Sequence, residues 1–296
     1  MSTEKHVPPD LDDSRVDRAV ATLFALPTAT ARRLCELGRV RIDGRKASKG
    51  DRTKAGAVVV VVGADWFVAG AAAAVILHKG PELIVVDKPA GAPCHPLVPG
   101  EGNTVADALV ALFPELRWAA LEEREGGLLH RLDTGTSGCL AFARNRQAWT
   151  RLRQGFDDVD KTYLALVQGD CGPAVVEKAL APDPSDARRM RVDVAGRPAR
   201  TEIKPLATTT TASLVQLQLH GGRRHQLRVH LAWLGHPLIG DRLYDPASGP
   251  GDVAFLLHAW RLQVPGMGPA GARLVVDAPL PPLFVGAVEA HGLRGP

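Results

Sequence analysis

The clearest hydrophobic period lies in the last third of the chain. Leu227, Leu231 and Leu234 recur at i, i+4 and i+7, which predicts an amphipathic helix over Arg224–Leu234. Other segments alternate or form short apolar runs, which predict strands at Ile76–Leu77, Leu83–Val86, Cys139–Ala143, Lys161–Val167, Thr201–Ile203 and Leu214–Leu219 and helices at Val105–Phe113 and Gln147–Phe156. Because strands and helices do not alternate as βαβ units, the pattern favours an α+β fold.

A smaller set of elements precedes this body. Val40-Arg-Ile42 alternates apolar and basic, and Asp43-Gly44 is a tight-turn dipeptide. The β-branched run Ala57–Val62 predicts a strand. Capping residues and glycines predict two helices ahead of these strands: Arg15–Leu23 with Asp13 or Ser14 as N-cap, and a helix from Thr28 or Thr30 to Leu37 ended by Gly38.

Charge is concentrated in this N-terminal set. The chain of 296 residues carries a net charge of +4, yet residues 14–62 alone hold eleven Lys or Arg and four Asp or Glu. That excess is typical of a polyanion-binding module attached to a near-neutral body. We therefore predict a flexible tail over 1–13, a binding domain over 14–63, a Gly/Ala-rich linker over 64–74 and a larger second domain over 75–296.

Cysteine usage and hydropathy predict the compartment. The four cysteines are scattered, without a C-x-x-C pair, so reduced thiols are expected rather than a zinc site or a disulfide framework. The polar N-terminus lacks the apolar run of a signal peptide, and Val68–Leu77 is shorter than the roughly 20 residues needed to span a bilayer. A cytoplasmic protein without a membrane partner is expected.

One acidic residue stands in an unusual local sequence. Asp133 lies within Gly127-Leu-Leu-His-Arg-Leu-Asp-Thr-Gly-Thr-Ser-Gly138, between a basic lead-in and a Thr/Ser/Gly turn. A carboxylate on such a turn can attack an anomeric carbon or remove a neighbouring proton, and both steps break glycosidic bonds. The bland alternative is an aspartate that only caps its turn.

Two further segments carry candidate chemistry. In Lys161-Thr-Tyr-Leu-Ala-Leu-Val-Gln-Gly169, Tyr163 lies on an otherwise aliphatic strand and offers a flat face for a nucleobase, although core packing would also explain it. In Gly222-Arg-Arg-His-Gln-Leu-Arg-Val-His230, Arg224 and Arg228 share one helix flank. A cation within about 4–6 Å of Asp133 would keep the carboxylate ionised and fix its rotamer.

Together these three motifs resemble those of the large-subunit (RluA-type) pseudouridine synthases, in the family's order. Leu256-Leu-His-Ala259 resembles a fourth family segment, in which Leu257 would be an apolar wall behind the uracil, although an ordinary core leucine is the alternative. The resemblance covers about residues 14–281 and implies a catalytic domain with a mixed, mainly antiparallel sheet and flanking helices. Gly221 and Arg224 depart from the family pattern, which has Thr at both positions, and Arg224 would alter RNA contacts.

The N-terminal block has its own resemblance. Thr30-Ala-Arg-Arg-Leu-Cys-Glu-Leu-Gly-Arg-Val-Arg-Ile-Asp-Gly44 is similar to the small α/β RNA-binding domain of alpha-L type found in ribosomal proteins, with Asp43 in place of the family's Asn. A solvated basic face without a ligand is the alternative. The residues that would contact RNA are Arg32, Arg33, Arg39, Arg41, Arg45 and Lys46.

The family resemblance implies roles residue by residue. The implied catalytic residues are Asp133, Tyr163 and Arg228, and the implied substrate-binding residues are His130, Arg131, Thr136, Arg223, His225, Gln226 and Leu257. The implied reaction is isomerisation of uridine to pseudouridine in structured RNA, with 23S ribosomal RNA favoured and tRNA as the alternative. Since substrate and product have equal composition, no cofactor and no metal are implied, and a monomer is the working expectation.

Competing interpretations remain open. A glycosidase would need a second acid, which the motif lacks, and an inactive RNA-binding factor would not need the Asp133, Tyr163 and Arg228 set. A metal site built on His130, His225, His230 and Asp133 is disfavoured because His225 and His230 are five residues apart, not four. The cluster Arg188, Arg189, Arg191, Arg197 and Arg200 is either a second phosphate-binding edge or a solvated hairpin.

Overall fold

The computed structural model describes residues 3–48, 50–62, 66–68, 74–245 and 255–294. The chain divides into two compact units. The first comprises residues 1–72, 95–117 and 121–126, and the second comprises 73–94, 118–120 and 127–296. The prediction of consecutive segments, with a domain over 14–63, a linker over 64–74 and a second domain over 75–296, therefore differs from these units, because the chain returns to the first unit after Cys94.

The first unit is a small sheet covered by helices. The strands pair antiparallel in the order β1-β4-β2-β3, and Val16, Val20, Leu34 and Val59 are buried in one core. Its elements are β1 (Thr3–His6), α1 (Val16–Leu23), α2 (Thr28–Glu36), β2 (Val40–Ile42), β3 (Arg45–Lys46), β4 (Val58–Val61) and α3 (Val105–Leu112).

The N-terminal residues differ from the predicted tail. Thr3–His6 forms β1 and pairs with Val58–Val61 of β4, so residues 3–13 belong to the first unit. The polar sequence of β1 does not predict a strand. The strand forms because its backbone hydrogen bonds go to a β-branched strand more than fifty residues away. Only Met1 and Ser2 of the predicted tail lie outside the described residues.

The predicted caps of α1 are also wrong. The N-cap is Arg15, which makes no capping bond through its side chain. Asp13 adopts φ +52° and its carboxylate pairs with Arg52 at 3.0 Å, while the carbonyl of Ser14 accepts a bond from Thr53. The Asp13 carboxylate and the Ser14 carbonyl therefore bond to residues outside the helix and do not cap it.

The tight turn between β2 and β3 is confirmed. Asp43 and Gly44 have φ of +48° and +80°, the left-handed pair that a two-residue hairpin of type I′ requires. The Asp43 carboxylate also accepts a bond of 2.8 Å from the amide of Val58. The predicted linker lies largely outside the described residues, and of its remainder Phe67 is buried within the first unit, close to Gly126.

The second unit is built on one large sheet. The strand order is β5-β6-β7-β14-β8-β13-β12-β9, with β15 also paired to β14, and β7–β14 is parallel whereas the other pairs are antiparallel. The strands of this sheet are β5 (Val75–Lys79), β6 (Leu83–Lys88), β7 (Ser137–Ala143), β8 (Asp160–Gln168), β9 (Ala174–Glu177), β12 (Arg200–Thr208), β13 (Ala212–His220), β14 (Leu257–Val264) and β15 (Leu274–Asp277). Strands β10 (Leu180–Pro182) and β11 (Met190–Val192) pair with each other in a separate two-stranded sheet. The helices of the second unit are α4 (Arg146–Gln154), α5 (Gln226–Trp233) and α6 (Pro282–Ala290). The expected α+β class with a mixed, mainly antiparallel sheet is confirmed.

The alternation along β8 decides which residues reach the site. Leu164 and Leu166 pack with Phe284 and Val288 of α6 in one core cluster. Successive side chains of a strand point to opposite faces, so Tyr163 lies on the face away from that cluster. The sheet thereby separates a helix-covered apolar side from the side that carries the candidate chemistry.

Candidate active site

Asp133 lies in the loop that leads into β7. The Asp133 carbonyl accepts a 3.0 Å bond from the Thr136 amide, which closes a tight turn. Gly135 within this turn faces the ring of Phe255, and a Cβ placed there would lie 2.7 Å from that ring. The turn needs glycine at this position, and the Asp133 side chain keeps 25% of its surface exposed.

Two side chains from the β6 end fix this loop. The ammonium of Lys88, which is fully buried, donates to the carbonyls of Pro89, Ala92 and Thr134 at 2.7–3.0 Å. Cys94 Sγ contacts the amide and the carbonyl of Leu132 at 3.3 and 3.2 Å. The residues on both sides of Asp133 are therefore bonded to the last residue of β6 and to the segment that follows it.

Arg228 joins two carboxylates. Its Nη1 donates to Asp133 Oδ2 at 2.9 Å, while its Nε and Nη2 donate to the two oxygens of buried Asp241 at 2.7 and 2.8 Å. Burial lowers the pKa of Arg228, but the bonds to Asp241 and the charges of both carboxylates outweigh burial and raise it. The fork to Asp241 fixes the guanidinium plane and leaves one edge for Asp133.

The floor of the cleft comes from three adjacent strands. Tyr163 of β8 pairs with Leu217 of β13, so Leu219 two residues further lies on the same face. Leu257 of β14 pairs with Ala165, two residues from Tyr163, and also lies on that face. Tyr163, Leu219 and Leu257 accordingly line the same cleft as Asp133 and Arg228.

Tyr163 lines this cleft, and its hydroxyl has no hydrogen-bond partner among the described residues. Tyr163 is 5% exposed, and burial raises the pKa of its hydroxyl above the ordinary value. A neutral ring in a narrow apolar floor is suited to contact a planar heterocycle.

The other predicted substrate residues divide into two groups. Arg131, Thr136, Arg223 and His225 line the cleft with polar groups. Gln226 also borders it but is 2% exposed, and its amide nitrogen bonds to Arg200, Thr201 and His220. The Gln226 side chain therefore holds the protein loops together, and we assign it no direct contact with substrate.

The structure does not bring His130 to the cleft, and its predicted substrate contact is withdrawn. The His130 ring stacks on Phe156 with 4.8 Å between centroids, and Nε2 accepts a bond from the amide of Ala141 at 3.1 Å. Burial, aided by Lys161 and Arg153, lowers the pKa of His130 to about 3, so the ring is neutral. Its role is to pack the base of β7.

The predicted RNA-binding cations lie on the surface of the first unit. Arg32 and Arg33 pair with Asp17 and Glu36 at 3.6 Å, and Arg39 donates to the carbonyl of Gly100 at 2.9 Å. The remaining three are exposed on the β2–β3 hairpin: Arg41, Arg45 and Lys46.

The second arginine cluster is largely neutralised. Arg188, Arg191 and Arg200 pair with carboxylates at 2.6–3.1 Å, and Arg189 contacts Asp183 at 3.8 Å. The hairpin β10–β11 that carries part of this cluster is tied to the site by Arg224, whose Nη2 donates to the carbonyls of Ala187 and Arg188.

Within the described ranges, no three His, Cys, Asp or Glu side chains are grouped so as to hold a metal ion. His230, one member of the alternative metal set, contacts Thr201 and the carbonyl of Lys178. Nor does any helix in the described part of the chain have the length and apolar character needed to cross a membrane.

Sequence reasoning missed three groups that shape the site. They are Lys88, Asp241 and Tyr244, none of which belongs to the three motifs. A weak signal existed for Asp241, since an acid two residues after the apolar pair Leu238-Ile239 calls for a buried partner.

Comparisons with known proteins agree with this geometry. Residues 82–233 match the RNA pseudouridylate synthase family, and residues 14–59 match the S4 domain. The chain is 33% identical over 309 residues to ribosomal large subunit pseudouridine synthase D of Nitrosomonas europaea, covering 97% of this chain and 87% of that protein. It is 34% identical over 255 residues to an uncharacterised RNA pseudouridine synthase of Mycobacterium bovis, covering 81% and 82%.

A solved structure shares the fold. Human RNA pseudouridylate synthase domain containing 4 superposes with a TM-score of 0.60 at 25% identity, covering 75% of this chain and 94% of the human chain. The family match spans more than half of the chain and includes the Asp133, Tyr163 and Arg228 segments. The chain therefore belongs to the RluA-type RNA pseudouridylate synthase family, carries an N-terminal S4 domain that binds RNA, and is a pseudouridine synthase, an isomerase.

Proposed function

We propose that this enzyme isomerises specific uridines in the RNA of the large ribosomal subunit, with Asp133 as the catalytic carboxylate. The observation that carries the proposal is the 2.9 Å pair between Arg228 Nη1 and Asp133 Oδ2 above a floor of Tyr163 and Leu257. The name of the Nitrosomonas relative supports the choice of RNA.

The chemistry fits a single carboxylate. The target uridine is flipped out of the RNA at a cost of a few kcal/mol and enters the cleft beside Asp133. Asp133 attacks C1′ or removes the C2′ proton, and the bond between N1 and C1′ breaks. The freed uracil turns against Tyr163 and Leu257, and its C5 bonds to C1′. In the same step the Asp133–C1′ bond breaks or, on the other route, Asp133 returns the proton to C2′. The C5 proton then leaves to solvent while N1 gains one.

The charges around Asp133 support this role. One carboxylate oxygen is engaged by Arg228, and the partly exposed side chain remains open to the cleft. Arg131 and Arg223 border the opening and would neutralise phosphates that flank the flipped nucleotide. The S4 domain adds sequence-independent affinity that weakens with salt.

The test measures tritium release from RNA labelled at uridine C5. We expect release by the wild type and none above background with Asp133→Asn, which keeps the side-chain volume but lacks the carboxylate. Asp277→Asn is the matched control, because Asp277 sits in an exposed fork with Arg261 outside the cleft. Equal release by Asp133→Asn and the wild type would contradict the catalytic assignment.

The RNA target needs its own experiment. Pseudouridines are mapped by chemical labelling in total RNA from a deletion strain and from a strain complemented with the wild type or Asp133→Asn. We expect sites in large-subunit ribosomal RNA to disappear and to return only with the wild type. Sites lost in tRNA alone would reject the ribosomal target and leave the isomerase activity intact.

A further inference from the structure

A tyrosine and a histidine form a line of contacts that ends at the catalytic carboxylate. The Tyr244 hydroxyl lies 2.7 Å from Nδ1 of His225, and the other ring nitrogen, Nε2, lies 3.8 Å from Asp133 Oδ1. Arg228 occupies the opposite oxygen, Oδ2. The two oxygens of Asp133 therefore have different neighbours.

The hydrogen bonds around Tyr244 define the protons on this line. The amide of Met190 donates to the Tyr244 hydroxyl at 2.8 Å, because a backbone amide can only donate. The phenol proton is then available for Nδ1 of His225, its acceptor among the described residues. A neutral imidazole that accepts at Nδ1 carries its proton on Nε2, which faces Asp133.

The backbone holds the histidine in this place. His225 is the residue before α5 and adopts φ +55° and ψ +18°, a left-handed conformation that is uncommon outside glycine, asparagine, aspartate and histidine. Its ring meets the Tyr244 ring edge-on at 85°, with 5.7 Å between centroids.

The charges around His225 come from several elements. Arg224 and Arg228 belong to its own segment, Asp133 to the loop before β7, Asp241 to the turn that carries Tyr244, and Arg189 packs on the Tyr244 ring from the β10–β11 side. Burial lowers the pKa of His225, and Arg228 and Arg224 lower it further, against the opposing effect of Asp133 and Asp241. The ring is therefore neutral at neutral pH.

We propose that His225 is a positioning residue for Asp133, and that Tyr244 fixes it in the neutral tautomer whose Nε2–H is directed at Oδ1. The inference rests on the proposed role of Asp133. A distance of 3.8 Å is too long for a hydrogen bond, so the N–H dipole orients the carboxylate without occupying Oδ1. Oδ1 is then the oxygen that reacts.

Protonation of His225 would take away the free Oδ1 oxygen of Asp133. An imidazolium beside Asp133 would form an ion pair with Oδ1, and the oxygen would become a poorer nucleophile and a weaker base. The Tyr244 hydroxyl opposes protonation because it donates to Nδ1 and stabilises the neutral ring. Loss of that hydroxyl raises the pKa of His225. As the pH falls, the ring is then protonated sooner, and activity begins to decline at a higher pH than in the wild type.

The experiment is a single-turnover pH profile at saturating RNA for the wild type and Tyr244→Phe. We expect the acid limb of the rate to move up by roughly one pH unit in Tyr244→Phe, the size of one net hydrogen bond expressed as a pKa shift. At pH 8.5 both histidines are neutral, so the remaining difference in rate measures only the loss of the fixed tautomer, and we expect it to be smaller than the difference at acid pH. A loss that is equal at every pH, or an unmoved acid limb, would overturn the proposal.

His225→Asn is a second variant, which can keep the contact with Tyr244 while it loses the contact with Asp133. Asparagine tolerates the left-handed backbone and can still meet the Tyr244 hydroxyl, but it carries no donor that reaches Asp133. We expect its rate at pH 8.5 to fall about tenfold with unchanged RNA affinity, and the histidine acid limb to disappear. A wild-type rate and profile in His225→Asn would overturn the proposal even if Tyr244→Phe failed to fold.

Nitrogen-15 spectra of histidine-labelled protein give a readout independent of turnover. The His225 signals, assigned by their loss in His225→Asn, are expected to show the Nε2–H tautomer in the wild type, and the opposite tautomer would overturn the proposal. Asp133→Asn is measured beside these variants. If Asp133→Asn remains active, the proposed function fails; if it is inactive while Tyr244→Phe matches the wild type, only this inference fails.

Discussion

At the scale of single residues, the arrangement around Asp133 depends on a second buried carboxylate. Asp241 is 1% exposed and holds two of the Arg228 nitrogens. We predict that Asp241→Asn lowers the single-turnover rate by about 10- to 100-fold, because the amide cannot accept both bonds of the fork and Arg228 loses its fixed plane. RNA affinity, measured by filter binding, is expected to change little.

Asp277→Asn again controls for the substitution itself. Arg261 makes the same two-bond fork to Asp277 at 2.6 Å for each contact, but the pair is exposed. Exposed ion pairs contribute about 0–1 kcal/mol, so this variant should retain its rate and its stability. A wild-type rate in Asp241→Asn would mean that Asp133 alone suffices to orient Arg228.

The residues show what a sequence can and cannot tell about a site. The motifs identify Asp133, Tyr163 and Arg228, and the structure brings these residues into one cleft. They do not predict that His130, three residues before Asp133, turns toward Phe156. That direction is set by the path of the loop, which depends on partners such as Lys88 that lie far away in the chain.

At the scale of elements, the close approach of β7 and β14 makes a sharp demand on one glycine. Gly138 pairs with Ala259, has φ +107°, and a Cβ there would lie 2.3 Å from the Ala259 carbonyl oxygen. We predict that Gly138→Ala reduces the free energy of unfolding by roughly 3 kcal/mol, through the strained backbone and the clash together. Urea unfolding monitored by circular dichroism measures this loss.

Gly172→Ala provides the matched change. Its Cβ would meet nothing within 4 Å, and its φ lies outside the left-handed range. We expect its stability to stay within about 0.5 kcal/mol of the wild type. If both variants lost the same free energy of unfolding, the effect would come from the change of glycine to alanine and not from the contact between β7 and β14.

Lys88 links two elements and gives a pH-dependent prediction. Lys88→Met leaves the carbonyls of Pro89 and Ala92 without their buried donor, and we expect a loss of roughly 2–3 kcal/mol in the free energy of unfolding at pH 7.

Burial lowers the pKa of Lys88 from 10.5 to about 8. Between these values the unfolded chain binds a proton that the folded chain has released, so the stability contributed by this group rises with pH.

The measurement compares the wild type and Lys88→Met by urea unfolding at several pH values. The difference between them should widen from pH 8 toward 10.5, because only the wild type has the titrating ammonium. A constant difference over that range would contradict the lowered pKa. The comparison cancels the titration of the other lysines, which both proteins share.

Most elements could be predicted from local patterns, whereas their ends could not. The amphipathic helix predicted over Arg224–Leu234 is observed as Gln226–Trp233, and the helix predicted over Val105–Phe113 as Val105–Leu112. The strand Thr3–His6 was missed because its sequence is polar and its partner lies more than fifty residues away. Local preference specifies the type of an element, and tertiary partners decide where it begins and whether a polar segment joins a sheet.

At the scale of the whole molecule, the chain combines a basic module with a catalytic body, but not as two consecutive segments. Residues 95–117 and 121–126 belong to the first unit although they follow the first strands of the second. The charge pattern of residues 14–62 correctly indicated a separate module. It could not indicate the return of the chain, because that return depends on packing of apolar residues such as Val98 with the core of the first unit.

This division of labour predicts separate effects on RNA binding and on turnover. Arg41, Arg45 and Lys46 are exposed on the β2–β3 hairpin. We predict that replacing all three with Gln lowers RNA affinity at moderate salt and reduces the slope of log affinity against log salt by about 2 to 3, since each lost phosphate contact contributes about 0.7–0.9. The single-turnover rate at saturating RNA should stay unchanged, because the chemistry belongs to the second unit.

A matched triple variant distinguishes lost contacts from lost net charge. Arg151, Arg261 and Arg273 belong to the second unit and pair with Glu82, Asp277 and Asp160. Replacing these three with Gln changes the net charge by the same amount but should leave the salt slope close to that of the wild type. If both triple variants reduced the slope equally, RNA affinity would follow the total charge of the protein, and the basic hairpin would have no special role in contacting phosphates.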